Sequence, residues 1–214
     1  MLELNFIKYL TKFNYTIIEY KLLLDDIKEK VIGIDEVGRG ALCGPVVSCS
    51  ILLFPEIIEN DLVYEINDSK KISEKKRNII AKFIKKNSTY SIGIATNQEI
   101  DKINILQATN LSIIRSYDKF KKYDFLVKVD GIQTFELNNK TKFIKGGDSK
   151  SISIAAASII AKNWRDNLML EYSKVHPVYG WDKNKGYGTK KHREAIIKHG
   201  ITHIHRLSFL RNFL

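Results

Sequence analysis

An apolar strand that ends in two adjacent acids is the feature that most constrains how this chain can fold. Residues 31–34, Val-Ile-Gly-Ile, are mostly β-branched and lead directly into Asp35 and Glu36. Short β-branched runs are typical of buried strands. A glycine-arginine-glycine loop follows at 38–40. The pattern predicts a strand of the core sheet that delivers two carboxylates, and then a tight loop, to one end of that sheet.

Strand-like and helix-like segments alternate along the rest of the chain. Ser73 and Thr189 are predicted N-caps, and Gly200 is a predicted helix stop. Strands are predicted at 31–37, 45–54, 89–96, 125–130 and 141–145. Helices are predicted at 1–30, 73–87, 97–121 with a break near 102–104, 152–172 and 189–199. This order predicts an α/β fold, a mixed sheet flanked by helices with additional C-terminal helices.

The length and composition suit one basic domain with a short extension. The 214 residues predict an N-terminal helical extension at 1–30 and a main domain at 31–214. The 35 Lys and Arg against 24 Asp and Glu give a net charge of +11, which attracts polyanions such as nucleic acid or simply keeps the surface soluble. We find no membrane-spanning stretch and no secretory signal. With Cys43 and Cys49 interpreted as reduced packing residues, we expect a cytoplasmic protein.

Four acids stand at the ends of predicted elements. Asp35 and Glu36 end one strand, Asp130 ends another, and Asp148 follows a glycine pair before a long helix. Carboxylates that share a site raise each other's pKa, and a bound divalent cation relieves that cost. Two such ions could activate water for phosphodiester hydrolysis. Each acid alone could instead cap a helix or accept loop hydrogen bonds, and the spacing leaves both interpretations open.

The loop after the first acid pair could contact a phosphate or a sugar. Gly38 and Gly40 would let the backbone approach a ligand closely, and Arg39 could pair with a phosphate. The same three residues could also form a tight turn with a solvated arginine. Adjacent strand residues face opposite sides, so Asp35 and Glu36 reach one site only if the strand ends or twists near these glycines.

Two further segments have residue types that suit nucleic acid. Ser69 and Lys70 precede a predicted helix and could bind phosphate at its N-terminus. Lys185 and Tyr187 lie in a glycine-containing loop, where the tyrosine could abut a sugar and the lysine could contact a phosphate. A polar turn and a flexible basic loop remain the alternative interpretations.

With these residues in view, the sequence closely resembles the type 2 ribonucleases H, the ribonuclease HII family. The resemblance is carried by seven segments that span about residues 31 to 210: GIDEVGRG (33–40), NDSKKISEKKR (67–77), INILQAT (103–109), VDG (129–131), GDSKSISIAAASIIAK (147–162), NKGYGT (184–189) and IHRLSF (204–209). It implies a ribonuclease H-like fold and a metal-dependent endonuclease, using Mg²⁺ or Mn²⁺, that hydrolyses RNA in a duplex with DNA. It also implies action at single ribonucleotides in DNA, on the 5′ side, leaving 3′-hydroxyl and 5′-phosphate ends.

The resemblance assigns roles residue by residue. It implies that the metal ligands are Asp35, Glu36, Asp130 and Asp148. It implies that the loop of Gly38, Arg39 and Gly40 contacts the ribose 2′-hydroxyl at an RNA–DNA junction, and that Tyr187 abuts the same ribose. We therefore expect RNA–DNA hybrids and ribonucleotide-containing duplex DNA as partners, and a monomer. Four residues depart from those usual in the family and leave the local loop shape open. They are Ala41, Ile132, Trp181 and His203.

Two other functions compete with this interpretation, and several other charged residues have structural interpretations. A type 3 ribonuclease H shares the acidic pattern but has a substantial N-terminal domain, for which 30 residues are too few. A non-catalytic nucleic-acid binder has no need of clustered acids. Asp166 lies about three helical turns beyond the alanine run, so we interpret it as an ion-pair partner of Arg165 or a lysine. Asp101 is interpreted as a helix-surface acid, and His203 and His205 as structural or phosphate-facing.

Overall fold

The sheet has five strands in a mixed arrangement. The computed structural model describes residues 25–67, 69 and 72–210. Its strands are β1 (Ile32–Val37), β2 (Val46–Leu53), β3 (Ser88–Ala95), β4 (Val127–Asp130) and β5 (Thr141–Ile144). They lie in the order β3-β2-β1-β4-β5. The first three strands pair antiparallel, while β4 pairs parallel to both β1 and β5. The predicted mixed sheet is confirmed.

Helices cover both faces of this sheet. They are α1 (Glu74–Lys86), α2 (Asn97–Tyr117), α3 (Ile152–Val175), α4 (Trp181–Asn184), α5 (Lys190–His199) and α6 (Leu207–Leu210). Helices α1 and α3 share one hydrophobic core with β2, and α2 contributes to two cores with β1, β2, β3 and β4. The predicted caps are present, because Ser73 accepts from Lys76 N and Thr189 accepts from His192 N.

The small side chains of α3 bring this helix directly onto β1. Ala155, Ala156 and Ala157 are buried against the sheet. A Cβ built at Gly33 of β1 would lie 2.1 Å from the carbonyl carbon of Ser153. Because no side chain fits between them, the helix backbone packs on the strand that carries the acid pair, and residues of α3 can reach the end of β1.

The predicted break in the second helix is confirmed at Asn104. This residue has φ 65° and ψ 166°, outside the helical region. Its side-chain oxygen accepts hydrogen bonds from the amides of Leu106 and Gln107, at 2.9 Å and 3.1 Å. Asn104 thus caps the second half of α2, as short polar side chains do at helix starts.

The C-terminal elements form a core of their own beside the sheet. We call it the second core, to distinguish it from the cores on the two faces of the sheet. Trp181 is fully buried there with Leu42, Cys43, Met169 and Ile196. Two isolated bridges, Ala41 with Tyr187 and Cys43 with His205, join this unit to the loop that connects β1 and β2. The departures at Ala41 and Trp181 are therefore packing positions in that unit.

The N-terminal extension is described only from residue 25, so most of the helix predicted at 1–30 lies outside the described residues. Asp26 is buried, and its carboxylate accepts hydrogen bonds from Lys128, from the Ser151 hydroxyl and, at 3.3 Å, from the amide of Ser153. Residues 25–30 thus brace the start of α3. Across the described residues, we find no helix with the length and hydropathy required to cross a bilayer.

Candidate active site

Three of the four predicted acids line one cavity at the end of the sheet. The parallel register pairs Ile34 with Val129, so the next residues, Asp35 and Asp130, follow at the carboxyl ends of adjacent strands. Asp35, Glu36 and Asp130 line a cavity of about 350 Å³ together with Val37, Ser69, Ser158, Lys162 and Tyr187. The convergence predicted from the strand ends is therefore present for these three acids.

Asp35 and Glu36 both reach this region although β1 continues to Val37. The strand keeps its antiparallel register with β2 through Val37, so the strand does not end at the acid pair. The parallel pairing with β4 stops at Ile34, which leaves the edge of β1 open beyond that point. The side-chain carboxylate of Asp35 accepts a 2.7 Å hydrogen bond from the backbone amide of the next residue, Glu36. Glu36 and Asp130 also line a second cavity, of about 480 Å³.

Electrostatic repulsion makes it unfavourable for the carboxylates in this cavity to be charged together. Burial raises the pKa of Asp35 well above its ordinary value, and the charges of Glu36 and Asp130 add to that effect. Burial also raises the pKa of Glu36, while Arg39, whose Nη1 lies 3.3 Å from the glutamate, opposes the shift. A divalent cation would relieve this repulsion, and carboxylate oxygens are the ligands that hard cations prefer. The donor set therefore fits a magnesium or manganese site.

Asp148 lies beside this group and is not among the residues that line the cavity. It is part of a short 3-10 turn, Gly147–Ser149, and is partly buried. The turn is held to the site because the amide of Gly147 donates a 2.7 Å hydrogen bond to Oδ1 of Asp130. Its role as a fourth ligand stays a prediction.

Helix α3 contributes polar side chains that the sequence analysis missed. Ser158 lines the cavity beside Asp35 and opposes the rise in the pKa of that carboxyl, and its hydroxyl lies 2.9 Å from that of Ser69. Lys162 lines the cavity one turn later and donates a 2.6 Å hydrogen bond to Asp166. A spacing of four residues places Ser158, Lys162 and Asp166 on one helix face, and this periodicity is the signal that could have revealed them.

Asp166 links this face to the segment that carries Ser69. Its second oxygen accepts a 2.9 Å hydrogen bond from Arg77, which in turn donates to the carbonyl of Ser69 at 3.2 Å. The predicted pairing of Asp166 with a lysine is confirmed at Lys162. The alternative partner, Arg165, was wrong, because its guanidinium faces backbone carbonyls instead.

The glycine-arginine-glycine loop and Tyr187 meet at the same place. Tyr187 lines the cavity of the acids, and the bridge to Ala41 joins it to the loop. Gly38 has φ 93°, and a Cβ there would lie 2.3 Å from Nε of Arg165. Gly40 has open space, because no neighbouring atom of the described residues lies within 4 Å of its ideal Cβ. The packing therefore requires a glycine at 38 and leaves room at 40 for a ligand.

The two predicted phosphate-binding lysines have different outcomes. Lys70 lies outside the described residues. Lys185 is only 8% exposed, and its Nζ donates a 2.6 Å hydrogen bond to the carbonyl of Asp182 and lies 3.5 Å from Glu74. Since this ammonium is already engaged, the structure indicates that Lys185 holds its own loop together and argues against a direct phosphate contact. Ser69 is likewise buried, but it lines the cavity.

A Cys-His-His cluster lies in the second core. Ligand atoms of Cys43, His192 and His205 are within 4.8 Å of one another, companions that the sequence did not reveal. The ring nitrogens are already used. Nδ1 of His192 donates to the Tyr187 carbonyl and its Nε2 accepts from Trp181. Nδ1 of His205 accepts from the amide of Thr202, and its Nε2 lies 3.4 Å from Nε2 of His192. The cluster is therefore a hydrogen-bonded support for the Tyr187 loop, with a structural role for His205.

The fold has counterparts among solved structures. The structure titled as the PCNA:RNase HII complex from Archaeoglobus fulgidus matches with a TM-score of 0.72 and 22% identity, covering 86% of this chain and 96% of that one. The ribonuclease H2 of Pyrococcus horikoshii matches with a TM-score of 0.67 and 22% identity, over 86% of this chain and 96% of that one. At these identities the likeness concerns the fold, which is that of the ribonuclease H-like nucleases.

Sequence relatives narrow this class to one family. The family model described as Ribonuclease HII matches residues 32–212. The Ribonuclease HII of Endomicrobium trichonymphae is 49% identical over 183 residues, covering 84% of both chains. That of Clostridioides difficile is 48% identical over 183 residues, covering 85% of this chain and 70% of the relative. The chain belongs to the ribonuclease HII family and is a ribonuclease H endonuclease.

Proposed function

We propose that this chain is a divalent-metal-dependent nuclease that hydrolyses the RNA strand of RNA–DNA hybrids and also incises duplex DNA on the 5′ side of an embedded ribonucleotide. The products would carry 3′-hydroxyl and 5′-phosphate ends. The observation that carries the proposal is the cavity shared by Asp35, Glu36 and Asp130, in which burial and mutual repulsion raise the pKa of the first two. Such a cluster would hold divalent cations, which would supply the chemistry of phosphodiester hydrolysis.

Asp35, Glu36 and Asp130 would hold the cations, with Asp148 as the fourth ligand. A solved structure titled as Bst-RNase HIII in complex with Mn²⁺ shares the fold, with a TM-score of 0.61, 18% identity and coverage of 79% of this chain and 62% of that one. The all-oxygen donor set suits Mg²⁺ and Mn²⁺ alike. Two such ions, when bound, supply an activated water and stabilise the leaving oxygen.

The neighbouring side chains prepare this chemistry. Ser158 lies in the same cavity, where its hydroxyl can donate to Asp35 and orient that carboxylate. Lys162 lines the same cavity, and its partner Asp166 is shared with Arg77, so this triad carries a net positive charge next to the acids. That charge attracts the phosphate of the substrate strand to a site that the carboxylates alone would repel.

The sugar would be read by the loop and the tyrosine beside the acids. RNA differs from DNA there by a 2′-hydroxyl, which both donates and accepts hydrogen bonds. Gly40 leaves space for close approach of a ribose, and Tyr187 lies across the same cavity. Arg39, whose side chain is half exposed, can anchor an adjoining phosphate.

Recognition of a ribose 2′-hydroxyl determines which nucleic acids we propose as substrates. We propose RNA–DNA hybrids and ribonucleotide-containing duplex DNA as substrates, and a monomeric enzyme. Buried, unpaired thiols at Cys43 and Cys49 suit the reducing conditions of a cytoplasm, which is where we propose that it acts.

Metal-dependent cleavage tests the proposal against the non-catalytic alternative. A labelled RNA–DNA hybrid should be bound in the presence of EDTA and cut only when Mg²⁺ or Mn²⁺ is added. Binding without cleavage in either metal would favour a nucleic-acid-binding protein. The type 3 alternative is disfavoured, because the curated relatives above are type 2 proteins at 48% and 49% identity.

A further inference from the structure

Two arginines are completely buried next to the candidate sugar-reading loop. Arg165 and Arg206 are both 0% exposed. In the described part of the chain neither forms an ion pair with a carboxylate, and burial beside Arg165 lowers the pKa of Arg206 to about 9, which still leaves it protonated at neutral pH. A buried charge is costly unless hydrogen bonds compensate it. The groups that accept hydrogen bonds from the two arginines therefore identify the segment whose conformation these charges stabilise.

Arg206 binds the loop itself. Its Nη2 donates to the carbonyl of Gly38 at 2.7 Å and its Nη1 to that of Arg39 at 2.9 Å. Its Nε donates to the carbonyl of Gly44 at 2.9 Å. The planar fork of an arginine matches several acceptors at once, which a lysine cannot do.

Arg165 holds the other end of the same segment and the tyrosine loop. It donates to the carbonyls of Pro45 at 2.9 Å, Cys43 at 3.1 Å and Lys185 at 2.8 Å. Its guanidinium carbon lies 5.6 Å from the centroid of the Tyr187 ring. Five of the six carbonyls bound by the two arginines therefore belong to residues 38–45, and the sixth belongs to the tyrosine loop.

The orientation of these carbonyls fixes the orientation of two amides. In a trans peptide the C=O of one residue and the N–H of the next point in opposite directions. Inward carbonyls at Gly38 and Arg39 therefore turn the amides of Arg39 and Gly40 away from Arg206. Within the described residues, neither amide donates a hydrogen bond. Both remain available to a ligand.

We propose that Arg206 and Arg165 are positioning residues for ribose recognition, which preset the 38–45 segment so that the amides of Arg39 and Gly40 face the substrate sugar. This inference rests on the proposed function. Arg206 is itself fixed from outside the loop, because Asp101 accepts hydrogen bonds from the next two amides, Leu207 at 2.9 Å and Ser208 at 2.8 Å. The interpretation of Asp101 as a plain surface acid was therefore wrong.

The test compares Arg206→Lys and Arg165→Lys with the control Arg115→Lys. Arg115 also donates to a backbone carbonyl, that of Ile94, but it is exposed and pairs with Glu99. Each variant is assayed for kcat and KM on a duplex with one embedded ribonucleotide and on a long hybrid. Manganese affinity without substrate is measured in parallel.

We expect Arg206→Lys to lower kcat on the single ribonucleotide about 100-fold, a loss typical of reacting groups misplaced by about 1 Å. The hybrid should lose less, because it offers neighbouring 2′-hydroxyls, and manganese affinity should not change. Arg165→Lys should behave similarly and Arg115→Lys like wild type. A merely destabilised enzyme would lose both activities in proportion.

The outcomes separate this inference from the proposed function. If the wild type cuts neither substrate, the proposed function fails. If the wild type cuts both and Arg206→Lys keeps the wild-type ratio of the two kcat values, the positioning role is overturned while the function stands.

Amide exchange in the unmutated protein decides the matter if the lysine variants do not fold. The amides of Ala41, Leu42 and Gly44 are hydrogen-bonded at 3.3, 2.8 and 2.8 Å. A preset segment should exchange these amides slowly without substrate, at rates near those of β2. Exchange as fast as that of the irregular loop at 131–136 would overturn the proposal.

Discussion

The amide of Gly147 donates a 2.7 Å hydrogen bond to Oδ1 of Asp130, so the turn that carries Asp148 is held against the acid that ends β4. Asp130 therefore organises the site as well as contributing charge to it. We predict that Asp130→Asn keeps the fold and removes nearly all nuclease activity, since a ligand charge is lost with little change in shape. Asp148→Asn should also reduce activity, by less. Steady-state cleavage of a hybrid with Mg²⁺ or Mn²⁺ measures both.

Asp118→Asn is the matched control for these variants, because Asp118 is exposed and pairs with Lys121, three residues away. It should cleave at the wild-type rate. Asp130→Asn at half the wild-type rate or more would remove Asp130 from the metal site.

Two serines of α3 offer a comparison within one helix. Ser158 lines the cavity beside Asp35 and opposes the rise in its pKa, whereas within the described residues the buried hydroxyl of Ser153 has no hydrogen-bond partner. Ser158→Ala should weaken manganese binding about 10- to 100-fold, as loss of a group that orients a metal ligand does. Ser153→Ala should leave binding unchanged and the free energy of unfolding unchanged or higher, because an unsatisfied hydroxyl is removed. Calorimetric titration and urea unfolding measure these effects, and equal manganese affinity in the two variants would refute the role of Ser158.

Alanine at the two loop glycines should separate folding from recognition. Gly38→Ala should lower thermal stability, because φ is 93° and the new Cβ would meet Arg165. Gly40→Ala should melt like wild type, since its Cβ enters open space. If that space receives the ribose, Gly40→Ala loses kcat/KM on a single embedded ribonucleotide despite normal stability. Wild-type kcat/KM for Gly40→Ala would show that nothing approaches the loop there.

The histidines of the second core predict a loss of stability in mild acid. Burial, together with His192 and His176, lowers the pKa of His205 to about 4, and burial lowers that of His192. The unfolded chain takes up the proton first, so stability should fall as pH drops from about 6.5 towards 4, by about 2 kcal/mol at pH 5 for His205. His205→Gln should shrink the difference in urea unfolding between pH 7.5 and pH 5, while the exposed His199→Gln should not. Identical pH dependence in wild type and His205→Gln would contradict this assignment.

The sheet and its acids could be predicted because they depend on local patterns. β-branched runs marked β1 and β4, and parallel strands end at the same edge, which brings Asp35 and Asp130 together. Ser158 and Lys162 could have been found from their spacing of four residues on one helix. The helix break at Asn104 could also be predicted from local sequence, because a short polar side chain caps the helical turn that follows it.

The contacts between distant segments could not be predicted. Nothing near Arg206 in the sequence indicates that its guanidinium binds Gly38, which lies 168 residues away. The engagement of Lys185 with Asp182 and the capping role of Asp101 similarly depend on how the second core packs against the sheet. A lone charged residue in a sequence does not reveal whether it faces solvent or a backbone carbonyl.

Cleavage of a DNA duplex that contains one ribonucleotide is the decisive test of the proposed nuclease. We expect a single cut on the 5′ side of that nucleotide, dependent on Mg²⁺ or Mn²⁺, with 3′-hydroxyl and 5′-phosphate ends when the products are mapped. The same duplex made wholly of deoxynucleotides should stay intact. Cleavage of the all-DNA duplex, or no metal-dependent cut at the ribonucleotide, would refute the proposed function.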